Sequence, residues 1–360
     1  MKKILIANIF GIGDVLFTTP LITDLKREPG DISVDYLCNS RARPVVECNP
    51  DIDGILVYEK DEFAALWKKS PFSCVRAFYS FFSSIRKKRY DTVFDFTLSR
   101  EFGLLFALAG IKQRVGLDYK RRGVFLTRKI PLTGFDNKHV VEYYRDLLKF
   151  VNINSPTGKL RLVPDEEEIL WARGYLEEKA LRKGKLAAVV PGGGASWGNQ
   201  SFRKRWGKEG FIRAADILMA NGVNVAILGD RSENCICVEV SGGMKTMPQI
   251  TENNLTLKRY IALLSLCDLV LCNDGGPLHI AAALGVKTVS IFGPVDEKVY
   301  GPYPPSSGHR VIKAVDIHCG PCYNRFKLPE CAYDHKCLRD ISPEIVAEAC
   351  MDLLAQGEEV

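Results

Sequence analysis

The segment Asn273-Asp274-Gly275-Gly276-Pro277-Leu278-His279 gathers a carboxylate, paired glycines and an imidazole where an apolar run, Leu269 to Leu271, gives way to a helix rich in small residues. A helix N-terminus offers unpaired backbone N–H groups and the positive end of the helix dipole, and paired glycines let a phosphate approach closely. Asp274 can accept sugar hydroxyls and His279 can donate to phosphate oxygens. The plainer alternative is a strand-to-helix turn with an N-capping Asp.

A second loop, Asn8-Ile9-Phe10-Gly11-Ile12-Gly13-Asp14-Val15-Leu16, begins like a dinucleotide fingerprint. It fails at Leu16, where G-x-G-x-x-G requires glycine. Asp14 follows the second glycine at the start of a helix expected over Asp14 to Lys26. A carboxylate there is either a helix cap or, at the carboxyl end of a strand, a general base facing a cleft.

Of twelve cysteines, Cys48, Cys74, Cys267 and Cys272 fall singly in apolar stretches and read as small hydrophobes. Cys319-Gly-Pro-Cys322, Cys331 and Cys337 cluster near His318 and His335. In a cytoplasmic protein such a set points to a structural zinc site rather than disulfides, with reduced, unliganded thiols as the alternative.

The elements that must position these residues repeat. Strands are expected at Lys3–Ile9, Ser33–Leu37, Gly54–Tyr58, Thr92–Phe96 and Gln113–Val115. In the second half Leu186–Val190, Val223–Leu228, Leu269–Leu271 and Thr288–Phe292 each run into a glycine-bearing turn. That pattern predicts an α/β fold of two parallel-sheet domains with a cleft between them, ligands lying at the carboxyl ends of the strands. A linker is expected around Asn152–Pro164, followed by an acidic helix start at Asp165–Glu168. The expected domains are residues 1–160 and 161–341, with a terminal helix in 342–360. Phe63 to Ile85 reads as an amphipathic helical region interrupted near Ser70-Pro71. Its Phe72, Phe78, Tyr79, Phe81 and Phe82 are expected in the core, a membrane face beside Arg86–Arg89 being the alternative.

At 360 residues, 46% hydrophobic and 26% charged, the chain has the composition of a soluble two-domain protein. Its longest nearly uninterrupted apolar run, Phe102 to Ile111, is too short to span a bilayer. Met1-Lys2-Lys3 leads at once into Ile4-Leu5-Ile6-Ala7, a first strand rather than a secretory signal, so a cytoplasmic location is expected. Of the net charge of +6, residues 1–180 hold +5. A basic first half suggests an anionic partner. Without a zinc-finger or RNP-type signature, nucleic acid is not expected to be that partner.

These motifs resemble those of the ADP-heptose:lipopolysaccharide heptosyltransferases. The likeness is carried by Gly11–Leu16 with Thr18-Thr19-Pro20, Asn49–Asp53, and Arg89–Asp95 leading to Arg114-Val115-Gly116. It continues through Pro191-Gly192 and Ser196-Trp197 to Lys204-Arg205-Trp206, then Gly229–Glu233, Asn273–Pro277 with His279, and the cysteine tail. It covers nearly the whole chain in order. The resemblance implies the GT-B fold, two Rossmann-like domains facing a central cleft. In that fold the C-terminal half binds the nucleotide-sugar, the N-terminal half binds the acceptor, and the last helix crosses back to the first domain.

It further implies inverting transfer of heptose from ADP-heptose to the lipopolysaccharide inner core, with no divalent metal in catalysis. The acceptor is then an anionic glycolipid met at the inner face of the cytoplasmic membrane, where the protein is peripheral. By the same resemblance Asp14, after Gly13, is the general base. Lys204, with Arg205 as second candidate, holds the diphosphate together with Gly275, Gly276 and His279. Asp274 holds sugar hydroxyls, Glu233 lies near the ribose, and Ser196 belongs to the substrate-binding set. Two departures stand out: a longer loop, Gly198–Arg203, before Lys204, and Gly275 where many members carry Ser or Thr. A related enzyme using another nucleotide-sugar, or a non-catalytic nucleotide-binding Rossmann protein, are the alternatives.

Overall fold

The computed structural model describes residues 2–154, 156–181 and 183–356, without the side chains of Ala195 and Ser196. The chain divides into two compact units. One comprises Met1–Phe135 and Val140–Arg161, the other Asp136–His139 and Leu162–Val360.

The first unit is built on six parallel strands: β1 (Lys2–Ala7), β2 (Ile32–Cys38), β3 (Gly54–Val57), β4 (Thr92–Asp95), β5 (Gln113–Tyr119) and β6 (Arg128–Leu132). Their order is β3-β2-β1-β4-β5-β6. Strand β1 is central: Ile4–Ala7 pair with Val34–Leu37 on one side and Thr92–Asp95 on the other. It is covered on both faces, which is why Ile4, Leu5, Ile6 and Ala7 form an unbroken apolar run rather than alternating. Strand order reverses between β1 and β4, so the loops after these two strands flank the crevice where such sheets bind ligands.

The helix expected after β1 is two helices, Ile12–Leu16 and Thr19–Arg27. Between them the Thr18 hydroxyl donates to the Val15 carbonyl (2.7 Å) and Thr19 to that of Leu16 (2.7 Å). These bonds satisfy carbonyls the break would orphan, and Pro20 has no N–H to continue the ladder. Farther on, Ser70 accepts from the Ser73 N–H and separates Lys60–Lys69 from Pro71–Lys88. Phe81 and Phe82 pack against the core containing Ile85, Val93, Phe102 and Phe106. Phe72, Phe78 and Tyr79 do not: all three are exposed, contrary to the expectation that they pack inside. Both faces of this helix carry large apolar residues, so periodicity alone does not tell which one is buried.

The second unit repeats the plan with β7 (Leu186–Val190), β8 (Asn224–Leu228), β9 (Ile250–Glu252), β10 (Leu269–Asn273), β11 (Lys287–Ile291) and β12 (His309–Ile312). All are parallel, in the order β12-β11-β10-β7-β8-β9, with the reversal between β7 and β10. The terminal helix Pro343–Ala355 sets Val346, Ala347, Cys350, Leu353 and Leu354 into this unit's core, beside the Lys208–Ala220 helix. Residues 357–360 of the expected terminal segment lie outside the described residues. Among the described residues no helix is long and apolar enough to cross a membrane.

Asp95 closes β4 at the first reversal point, buried, its Oδ1 accepting from the Thr97 N–H (3.0 Å) and hydroxyl (2.7 Å). Burial pushes its carboxyl up to about 6, against the lowering effect of Thr97. A carboxyl raised in the folded state binds its proton more tightly there than in the unfolded chain. Asp95 therefore makes the protein lose stability as pH rises from near 4 to about 6, by about 3 kcal/mol for a shift of this size. Asp95→Asn should flatten that part of the pH–stability curve, which denaturant melts at a series of pH values would check. An unchanged slope would show that another group carries it.

Candidate functional site

In the first unit, the loop after β1 is shaped by two buried asparagines. Asn8 donates its Nδ2 to the Asp14 carbonyl (2.9 Å) and accepts the Phe10 N–H (3.1 Å), while Asn39 donates to the carbonyls of Ile9 (2.9 Å) and Phe10 (2.7 Å). These bonds hold Gly11 and Gly13 at the start of Ile12–Leu16, with Asp14 as its third residue, half-buried. Its Oδ2 accepts from the Gly11 N–H at 3.3 Å, so the carboxylate does reach back as a cap. Its charge also acts on buried Tyr36, whose phenol burial holds well above its ordinary pKa. A cap and a base are compatible here: one oxygen serves Gly11 and a carboxylate has two.

The second unit brings the other expected residues together at the ends of β7 and β10. Gly193 and Gly194 have φ of 99° and 74°, conformations open to glycine. Asn273 fixes this loop. Its Nδ2 donates to the carbonyls of Pro191 (2.9 Å) and Gly192 (2.8 Å), and its Oδ1 accepts the Trp206 N–H (2.8 Å). This positioning role was not foreseen; the signal was a buried-strand terminus occupied by an amide rather than an apolar residue.

Lys204 is buried, its Nζ 2.5 Å from Asp274 Oδ2 and 4.7 Å from the centre of the Trp197 ring. The carboxylate contact is an ion pair without the alignment of a hydrogen bond. The longer loop forms a kinked 3-10 stretch, Ala195–Lys204, bent at Gly198. It therefore delivers Lys204 to the glycine-rich motif. The side chain of Ser196 lies outside the described residues.

Gly275 caps the Gly276–Leu284 helix, and a Cβ there would stand 3.2 Å from the Gly194 N. That close approach gives a physical reason for the missing Ser or Thr. His279, one turn into the helix, is buried, and burial, with His139 and Lys204 nearby, pushes its pKa down to about 3. It is therefore a neutral imidazole at ordinary pH, able to donate one N–H but not a positive charge.

Glu233 is an internal strut. Its Oε1 accepts from the Gly193 N–H (2.5 Å) and its Oε2 from that of Asp230 (3.3 Å), with Arg205 Nη2 at 3.6 Å. Arg205 in turn donates Nε to the Gly193 carbonyl (2.9 Å). Both residues thus support the loop from below. The zinc expectation is not met: among the described residues no three His, Cys, Asp or Glu side chains are arranged to hold a metal ion. Cys319, Cys322, Cys331 and Cys337 are free thiols. Burial, with the other three nearby, pushes Cys337 up to about 11, and Cys331 Sγ accepts the His335 N–H at 3.2 Å.

Two six-stranded parallel sheets, each with its strand order reversing once, define the GT-B fold shared with heptosyltransferase structures. Residues 78–332 match glycosyltransferase family 9 (heptosyltransferase), and the chain belongs to that family. Lipopolysaccharide heptosyltransferase 3 of Escherichia coli is 25% identical over 299 residues, covering 81% of this chain and 83% of that protein. The structure of E. coli ADP-heptose lps heptosyltransferase II superposes with a TM-score of 0.76 at 23% identity, over 99% of this chain and 100% of that one. The glycosyl transferase family 9 structure from Veillonella parvula gives 0.82 at 21% identity, over 99% and 98%.

If Asn273 positions the loop, Asn273→Ala strands two buried carbonyls and one N–H. A stability loss of about 2–4 kcal/mol is expected from groups of that kind, read by chemical denaturation, together with weaker nucleotide binding by calorimetry. A stable variant with unchanged binding would show that the loop holds itself.

Proposed function

We propose that this glycosyltransferase transfers heptose from ADP-heptose to an anionic inner-core acceptor of lipopolysaccharide, with inversion and with Asp14 as general base. The observation that carries the donor half of this reading is the cradle of the second unit. There one buried cation, Lys204, the Gly194 amide and the N-terminus of Gly276–Leu284 supply what a departing diphosphate requires without a metal ion. The similarity to E. coli ADP-heptose lps heptosyltransferase II supports the choice of donor, and the basic first unit supports an acceptor bearing phosphates.

In this reading Lys204 exchanges its contact with Asp274 for the diphosphate, which frees Asp274 for sugar hydroxyls. Neutral His279 donates a hydrogen bond. Glu233 and Arg205 act through the loop, as positioning residues. Asp14 takes the proton of the acceptor hydroxyl as it attacks the anomeric carbon, and the ADP leaves from the opposite face.

Lys204→Ala should lower turnover roughly 10²-fold or more, the usual scale for removing a charge-assisted contact to a developing anion. Unchanged steady-state kinetics would take Lys204 out of the leaving-group site. Asp14→Asn preserves the cap but removes the proton acceptor. ADP-heptose should still raise the melting temperature of that variant while turnover falls by about 10²–10⁴. Full turnover would remove Asp14 from the mechanism, and a melting shift with a different nucleotide-sugar instead would replace the donor.

A further inference from the structure

Residues 66–89 contain seven lysines and arginines, six aromatic residues and no acidic residue. Their inner side is accounted for: Phe81, Phe82 and Ile85 pack on the first unit's core, and Phe63 lies against Tyr58 with a ring separation of 5.1 Å. The outer side is not. Phe72 is 79% exposed, Tyr79 69%, Val75 59%, and Trp67 of the preceding helix 58%. At 100° per residue, Phe72, Val75, Arg76, Tyr79 and Arg86 fall within an arc of roughly 100° on one face of Pro71–Lys88. Lys68, Lys69, Arg76, Arg86 and Lys87 are exposed and make no ion pair among the described residues, whereas Lys88 is paired with Asp35 at 2.9 Å. At the C-terminal end of the same helix, Ser83, Arg86, Lys87, Arg89 and Leu108 line an open recess of about 460 Å³.

Large aromatic side chains held in water beside unpaired cations, with no carboxylate among them, match the boundary between lipid headgroups and acyl chains. The absence of acidic residues argues for a uniformly anionic surface over a protein partner, whose charges would be mixed. We propose that the outer face of Pro71–Lys88, with Trp67, seats the enzyme on an anionic bilayer. Phe72, Val75 and Tyr79 enter the headgroup boundary, Lys68, Lys69 and Arg76 lie along the lipid phosphates, and the Arg86–Lys87–Arg89 recess takes a single headgroup phosphate. The inference rests on the glycolipid reading for its purpose, because an acceptor embedded in lipid must be met at the membrane.

Co-sedimentation of the full-length protein with vesicles of phosphatidylethanolamine and phosphatidylglycerol, compared with phosphatidylcholine alone and without donor or acceptor, tests it. The wild type should bind the anionic vesicles and release with added salt. K68Q/K69Q/R76Q should weaken binding about 10²-fold, at about fivefold per charge. F72S/Y79S should weaken it at least about tenfold. Both variants should keep the wild-type circular dichroism spectrum and wild-type turnover on a delipidated, water-soluble core oligosaccharide. Wild-type binding no stronger to anionic than to neutral vesicles, or variants that bind as the wild type does, would overturn the proposal. So would self-association abolished by F72S/Y79S without vesicle binding, since the face would then meet a second copy. Vesicle binding that depends on this face, with no transfer to the oligosaccharide, would support the docking face and sink the glycolipid reading.

Discussion

One carboxamide, that of Asn273, holds the second unit's site in shape. Where parallel strands end, the backbone leaves the ladder and its carbonyls lose their partners, yet the chain there is still buried. Asn273 stands at the end of β10, beside β7 at the point where strand order reverses, and offers two donors and an acceptor at once. It fixes Pro191 and Gly192 ahead of the paired glycines, and Trp206 just past Lys204. The position of the lysine and the curvature of the glycine loop therefore depend on the same side chain. Aspartate could not do the same, since it lacks the N–H donors the two carbonyls require.

The glycines are consequences of that tight assembly. A Cβ on Gly192 would lie 2.2 Å from the Glu233 carboxyl carbon, and one on Gly275 would press on the Gly194 N. Glu233 fills the space behind the loop and takes the Gly193 N–H.

The parts of this fold that the sequence made legible are those where one physical demand dominates. Leu186–Val190 is buried on both faces and ends in glycines, and it was read to the residue. Of the edge strands β3 was read, as Gly54–Tyr58, whereas β6, β9 and β12 were not: β9 has three residues, Ile250–Glu252, and β6 contains Pro131, a residue that argues against a strand except at an edge. The break at Thr18 was hidden because it depends on hydroxyl bonds to Val15 and Leu16 and on Tyr36, whose hydroxyl lies 2.7 Å from that of Thr18. The cysteine cluster does gather, with Cys319, Cys322 and Cys331 near Cys337, but among the described residues no three such side chains are arranged to hold a metal ion, and spacing along the chain says nothing of that arrangement. The aromatic face of Pro71–Lys88 was misassigned for the converse reason: hydrophobicity predicts burial only where something is available to cover it.

The two units hold positive charge in different ways. Lys204 is buried, and an unpaired ammonium there would be heavily penalised; Asp274 at 2.5 Å and the Trp197 ring compensate it. The same burial, with Lys204 close by, keeps His279 neutral, so the imidazole adds no second positive charge beside the lysine. In a low-dielectric setting one such charge acts strongly over a few ångströms. The cations of residues 66–89 are exposed, individually weak and screened by salt, and gain strength only by number. A buried, compensated charge suits one anion held in a fixed geometry. A dispersed, solvated set suits a surface with many anions and no fixed geometry.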